Sequence, residues 1–143
     1  MDERMKLKVN TGVVTIDVEN EHGTKIGEFD FNPTDSGILE RYKAVVDFFN
    51  NVDIKEMATE DEQCEEIIKL ENEIREQFNY LLGYDVAPGI FGRCGALTTL
   101  KSGKFYFENV LEGIGSLVSE AVAERTKAKL QRIAEATAIY NEK

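Results

Sequence analysis

The sequence predicts an α+β fold: a small N-terminal antiparallel sheet of about three strands, packed against three or four helices, the last one long. Three observations carry this. Apolar and polar residues alternate over residues 5–31, the two-residue period of half-buried strands. From Ile38 onward the period lengthens to that of amphipathic helices. The chain has 143 residues, 42% of them apolar, which suits one ordinary domain with a real core. Residues 1–143 are read as that single domain, with a sheet region at 1–32 and a helical region at 33–143.

The first predicted strand sets Met5, Leu7 and Val9 against Lys6, Lys8 and Asn10. The second sets Val14, Ile16 and Val18 against Thr15, Asp17 and Glu19. The third sets Phe29 and Phe31 against Glu28 and Asp30. Thr11-Gly12 and Glu21-His22-Gly23 read as turns. Three short strands need a cover for their apolar face.

Asn32-Pro33-Thr34-Asp35-Ser36 is a breaker followed by an N-cap cluster, which predicts a helix over about 35–50. Its apolar face holds Ile38, Tyr42, Val45 and Phe49. Thr59 and Glu62 form a possible capping box for a second helix. That helix has the stripe Ile67, Leu70, Ile74, Phe78 and Leu81, and Gly83 as its C-cap. Its other faces are acidic, from Glu60 to Glu76, at helical spacing without the central glycine of a calcium loop, and read as a solvated surface.

A final helix is predicted from about Lys104 to Ile139. Leu111, Ile114, Val118, Val122, Leu130, Ile133 and Tyr140 follow its period, with Thr126 in the gap. Gly113 and Gly115 predict a kink, a break or a close helix crossing. Straight, this helix is roughly 50 Å long, against a radius of gyration of roughly 14–15 Å for a globule this size. Its distal apolar positions, Leu130, Ile133 and Tyr140, would overhang the domain, so either self-association or a bend near Gly113-Gly115 is expected, with Val118, Val122, Leu130, Ile133 and Tyr140 as the candidate interaction surface.

The net charge is −10, which disfavours nucleic acid and anionic membrane surfaces as partners. No apolar run approaches the ~20 residues of a membrane span. The charged start leads into no apolar segment, so cytoplasmic localisation is expected. Cys64 and Cys94 make neither a disulfide framework nor a metal-type pair, and both read as buried or half-buried structural residues. His22 is the sole histidine and reads as a turn residue. No cofactor, metal site or catalytic residue is expected, and the chain is read as not an enzyme.

The stretch "GIFGRCGAL", Gly89 to Leu97, tests that exclusion. Its glycines lack the spacing and the Lys-Ser/Thr of a phosphate loop. Cys94 has Arg93 beside it, but no nucleophile signature surrounds it. Gly89, Phe91, Gly92 and Gly95 are therefore read as a structural turn, with Phe91 plugging the core. In Phe105-Tyr-Phe107, Phe107 is read as the anchor of the last helix in preference to a base-stacking platform.

Three segments carry a resemblance: "GEFDFNPTDSGILERYKAVVDFF", "FNYLLGYDVAPGIFGRCGAL" and "KFYFENVLEGI". They resemble the small tail-assembly proteins of siphophages and prophages of Gram-positive bacteria. In that family an Asn-Pro-Ser/Thr-Asp element follows a Phe-x-Phe strand, here Phe29, Phe31, Asn32, Pro33 and Asp35. A helix ending in Phe/Leu-Gly, here Leu82 and Gly83, leads to an Ile/Leu-Phe-Gly turn, here Ile90, Phe91 and Gly92. An aromatic-rich helix follows, here with Phe107. The match covers about residues 25–115. The resemblance implies a non-enzymatic role in tail morphogenesis, as a tail assembly chaperone or tail-associated structural protein. The implied partners are the protein itself, as a homo-oligomer, and the tape-measure or tail-tube protein. A small oligomeric adaptor module unrelated to tails is the alternative.

Overall fold

The computed structural model describes residues 4–52 and 64–141, with side-chain environments as far as Thr137. The element order is β1 (Val14–Glu19), β2 (Lys25–Phe31), α1 (Ile38–Asn50), α2 (Cys64–Leu82), α3 (Ala87–Phe91) and α4 (Tyr106–Asn141). The architecture is α+β, as the periodicities predict. The Thr59–Glu62 capping box lies outside the described residues.

The sheet has two strands, not three. β1 and β2 pair antiparallel, with Val14 opposite Phe31 and Ile16 opposite Phe29. These pairs share the apolar face that packs on the helices, where Phe29 and Phe31 are buried. Asn20 closes the hairpin, its side chain accepting the His22 and Thr24 amides at 2.9 and 3.0 Å. The expected first strand does not form. Met5, Leu7 and Val9 are 99, 89 and 67% exposed. Alternation defined a face for that segment, but nothing covers it here.

α1 begins at Ile38, later than the N-cap cluster suggested, with Gly37 at the cap and no side-chain cap bond. Asp35 is the reason. Its carboxylate is engaged by Arg41 at 2.6 Å as well as by the Gly37 amide at 3.1 Å. Arg41 also donates to the Leu81 carbonyl at 2.9 Å, satisfying an open acceptor at the C-terminus of α2. α2 buries Leu70, Ile74, Phe78 and Leu81 and ends at Gly83, whose φ of 82° suits a residue without Cβ.

The core is aromatic. Phe78 meets Phe91 edge-on at 5.1 Å, Phe91 meets Tyr106 edge-on at 5.9 Å, and Phe49 lies 4.7 Å from Phe107. Phe91, 2% exposed, does plug the core, and Phe107 does anchor α4. Between them the chain makes a small irregular hairpin. Thr99 bridges Phe105, and the Phe107 amide donates to the Ala96 carbonyl at 3.0 Å.

α4 runs unbroken through Gly113 and Gly115 for 36 residues, about 54 Å. Of the three outcomes expected there, the kink and the break are absent, and no close approach of helix backbones replaces them: Gly113 faces open space, and Gly115 meets only the Tyr42 side chain of α1, whose hydroxyl a Cβ there would strike.

Candidate functional site

Ile114 and Val118 face the core, and Ala121 is the last half-buried position on α4. Every side chain from Val122 to Thr137 is exposed. A hydrogen bond ties this outer half to the domain: Arg125 donates to the Thr34 carbonyl at 3.4 Å. The overhang expected from helix length is therefore present.

The expected interaction residues divide. Val122, Leu130 and Ile133 are exposed, the latter two at 61 and 53%. Val118 is 3% exposed and belongs to the core, so it is not available as monomer surface. Sequence alone could not locate where the core stops along α4, because the same stripe continues past it. Tyr140 lies on the helix, but its side chain is outside the described residues.

On the overhang, Thr126, Leu130, Ile133, Thr137 and Tyr140 occupy positions spaced four, three, four and three apart. This is the 3.5-residue repeat of a coiled-coil seam, shorter and more polar than a stable one. Four cations (Arg125, Lys127, Lys129, Arg132) and two carboxylates (Glu124, Glu135) flank it. The overhang is locally basic on a chain of net charge −10. Such a face suits a helix that is apolar along one stripe and acidic beside it.

The turn residues Gly89, Phe91, Gly92 and Gly95 do turn the chain, and more tightly than glycine content implied. Gly89 opens onto Gly27 of β2 so closely that a Cβ on either would overlap the opposing backbone. Gly92 caps α3. Gly95 sits against Glu71, where an added Cβ would lie 3.1 Å from Oε1. Glu71, read as part of a solvated acidic face, instead accepts the Ala96 and Leu97 amides at 2.7 and 3.0 Å. Asn79 plays the same part for α3, accepting the Val86 and Ala87 amides at 2.8 and 3.0 Å. Neither role has a sequence signal, since a helical Glu and Asn look alike whether solvated or receiving a loop.

Cys94 and Arg93 line an open groove of about 770 Å³ with Glu19, Ile26, Leu100 and Tyr106. Cys94 Sγ lies 3.9 Å from the Gly95 carbonyl oxygen. His22 faces Glu21 at 3.4 Å in the β1–β2 turn. Cys94 is half-buried, as expected; Cys64 is exposed, contrary to its reading as structural, because it falls at the first described turn of α2 off the buried stripe. Burial pushes the Tyr106 phenol up to about 12, with the nearby Cys94 adding to it, while its hydroxyl donates to the Ile90 carbonyl at 2.9 Å. Among the described residues no group of three or more His, Cys, Asp or Glu is placed to hold a metal ion, and no helix is long and apolar enough to cross a membrane.

No protein-family model, curated protein or solved structure matches the chain.

Proposed function

We propose that this protein works by binding other protein, without chemistry of its own, and that its task is phage tail morphogenesis as a tail assembly chaperone or tail-associated structural protein. The observation that carries the binding role is the outer half of α4, which leaves the domain after Ala121 and presents Val122, Leu130 and Ile133 to solvent. An apolar stripe on a helix held away from its own core has no intramolecular use, and its burial by a partner helix is favourable. The tail assignment is supported by the resemblance over residues 25–115. The partners under this reading are a second copy of the chain and the tape-measure or tail-tube protein, met in the host cytoplasm.

The test is co-expression with a fragment of a tape-measure protein from a siphophage of a Gram-positive host. The fragment is expected to stay soluble and to co-elute with the wild-type chain, and to precipitate beside the Leu130→Glu, Ile133→Glu variant. A strict monomer that leaves the fragment insoluble overturns the tail role. Oligomers that ignore the fragment indicate the adaptor alternative.

A further inference from the structure

The edges of the sheet are unequal. The outer edge of β2 is occupied: Gly89 of α3 packs against Gly27, and the Tyr84 hydroxyl donates to the Asp30 carbonyl at 3.1 Å while receiving the Asp30 amide. The outer edge of β1 is not. Among the described residues β1 pairs with β2 alone. The apolar face also runs out there, with Val14 exposed and Ile16 and Val18 half-buried. A free edge is a template for another strand.

The chain contains a segment that fits it. Residues 5–9 alternate apolar and cationic, are exposed, and have no strand partner among the described residues. If they joined β1 with Met5, Leu7 and Val9 on the apolar face, alternation would put Lys6 and Lys8 on the opposite one. That opposite face carries Asp17, Glu19, Glu28 and Asp30 against the single cation Lys25, which bridges Asp17 and Glu28 at 3.3 and 3.2 Å. Hydrophobic pattern and charge therefore agree on one alignment of faces.

Among the described residues the segment does not pair with its own β1 edge. Asn32 Nδ2 donates to the Thr11 carbonyl at 2.6 Å, and Gly12 lies against the Asn32 and Thr34 side chains. The chain thus enters β1 beside the end of β2. We propose that residues 5–9 add, antiparallel, to the free β1 edge of a second copy of this chain, in reciprocal exchange. Two added strands, with three apolar side chains each, bury on the order of the 1,000 Å² that a specific interface requires. The missing third strand of the sheet is then supplied by the partner. This deepens the self-association proposed above but uses a different surface from α4.

The experiment uses the full chain carrying Leu130→Glu and Ile133→Glu, which silences the α4 surface. Sedimentation and amide hydrogen exchange are followed over a wide concentration range. The expected result is a dimer whose residues 5–9 and outer β1 amides gain protection as concentration rises. Adding Lys6→Glu and Lys8→Glu, which touch nothing in the monomer core, is expected to weaken that dimer about tenfold or more by placing like charges together. A monomer at every concentration, or a dimer whose residues 5–9 exchange freely, overturns the proposal. So does protection independent of concentration, which marks a hairpin within one chain. These outcomes leave the α4 reading untouched, since that surface is absent from the experiment.

Discussion

Gly27 of β2 and Gly89 of α3 bring two backbones together: a Cβ on Gly27 would run into the Gly89 carbonyl, and a Cβ on Gly89 into the carbonyl of Glu28, the next residue of β2. This contact seats the short helix on the sheet and carries Phe91 into the core beneath it. Opposing main chains cannot swing aside as a side-chain tip can. Gly89→Ala is expected to destabilise the fold by about 1–3 kcal/mol, the range for overpacking. Gly113→Ala is the control: its Cβ position is open, and helix propensity predicts a gain of about 1 kcal/mol. Urea unfolding of both variants checks the pair.

Glu71 ties α2 to the loop that follows α3, through the Ala96 and Leu97 amides. Glu71→Ala leaves two partly buried donors without an acceptor and is expected to lose about 1–3 kcal/mol. Glu71→Gln keeps one acceptor oxygen and is expected to lose less. Denaturation midpoints of the two variants order the effects, and equal midpoints for both and wild type would contradict the tie.

How much of this was legible follows a physical divide. β1, β2 and the buried stripes of α1 and α2 were readable because periodicity reports which side of an element is apolar. Met5, Leu7 and Val9 carry the same period as Val14, Ile16 and Val18, yet only the second set is covered on one flank. Periodicity does not say whether a neighbour is present. Val118 and Val122 stand on one stripe and differ only in whether the core reaches them. The Gly27–Gly89 approach and the Glu71 and Asn79 caps depend on elements far apart in sequence meeting in space, and no local pattern encodes them.

Asp35 gives a test in acid. The Arg41 guanidinium first, and the Gly37 amide second, hold its carboxyl below its ordinary value of 3.8. A lowered folded value means the stabilisation is fully present above that ordinary value and is lost as pH falls through the lowered one. Asp35→Asn is expected to cost about 1 kcal/mol or less at neutral pH, because the pair is partly exposed and water screens it. The gap between variant and wild type should close in acid below 3.8. Melting curves recorded across that range check the sign, and a gap that widens in acid contradicts it.

Tyr106 gives the alkaline counterpart. Burial holds its phenol protonated up to about 12, above the ordinary 10.0. Here the stabilisation is full below 10.0 and declines as pH rises toward 12. Tyr106→Phe removes the bond to the Ile90 carbonyl, at an expected loss of about 1 kcal/mol near neutrality. It also removes this alkaline loss, so the two stability curves should converge above pH 10.0. Burial, with Glu112 nearby, also raises the Tyr42 phenol, so absorbance titration of the folded protein should show a late-ionising fraction that shrinks, without vanishing, in the Tyr106→Phe trace.

The measurement that tests the account most directly is a paired one on the Leu130→Glu, Ile133→Glu variant: its melting temperature, and its ability to hold a tape-measure fragment in solution. Both side chains lie beyond the core on α4, so the melting temperature should match the wild type while the fragment precipitates. Retained solubility of the fragment, or a collapse in melting temperature showing that these positions serve the fold itself, would contradict the claim that the outer half of α4 is a surface for other protein.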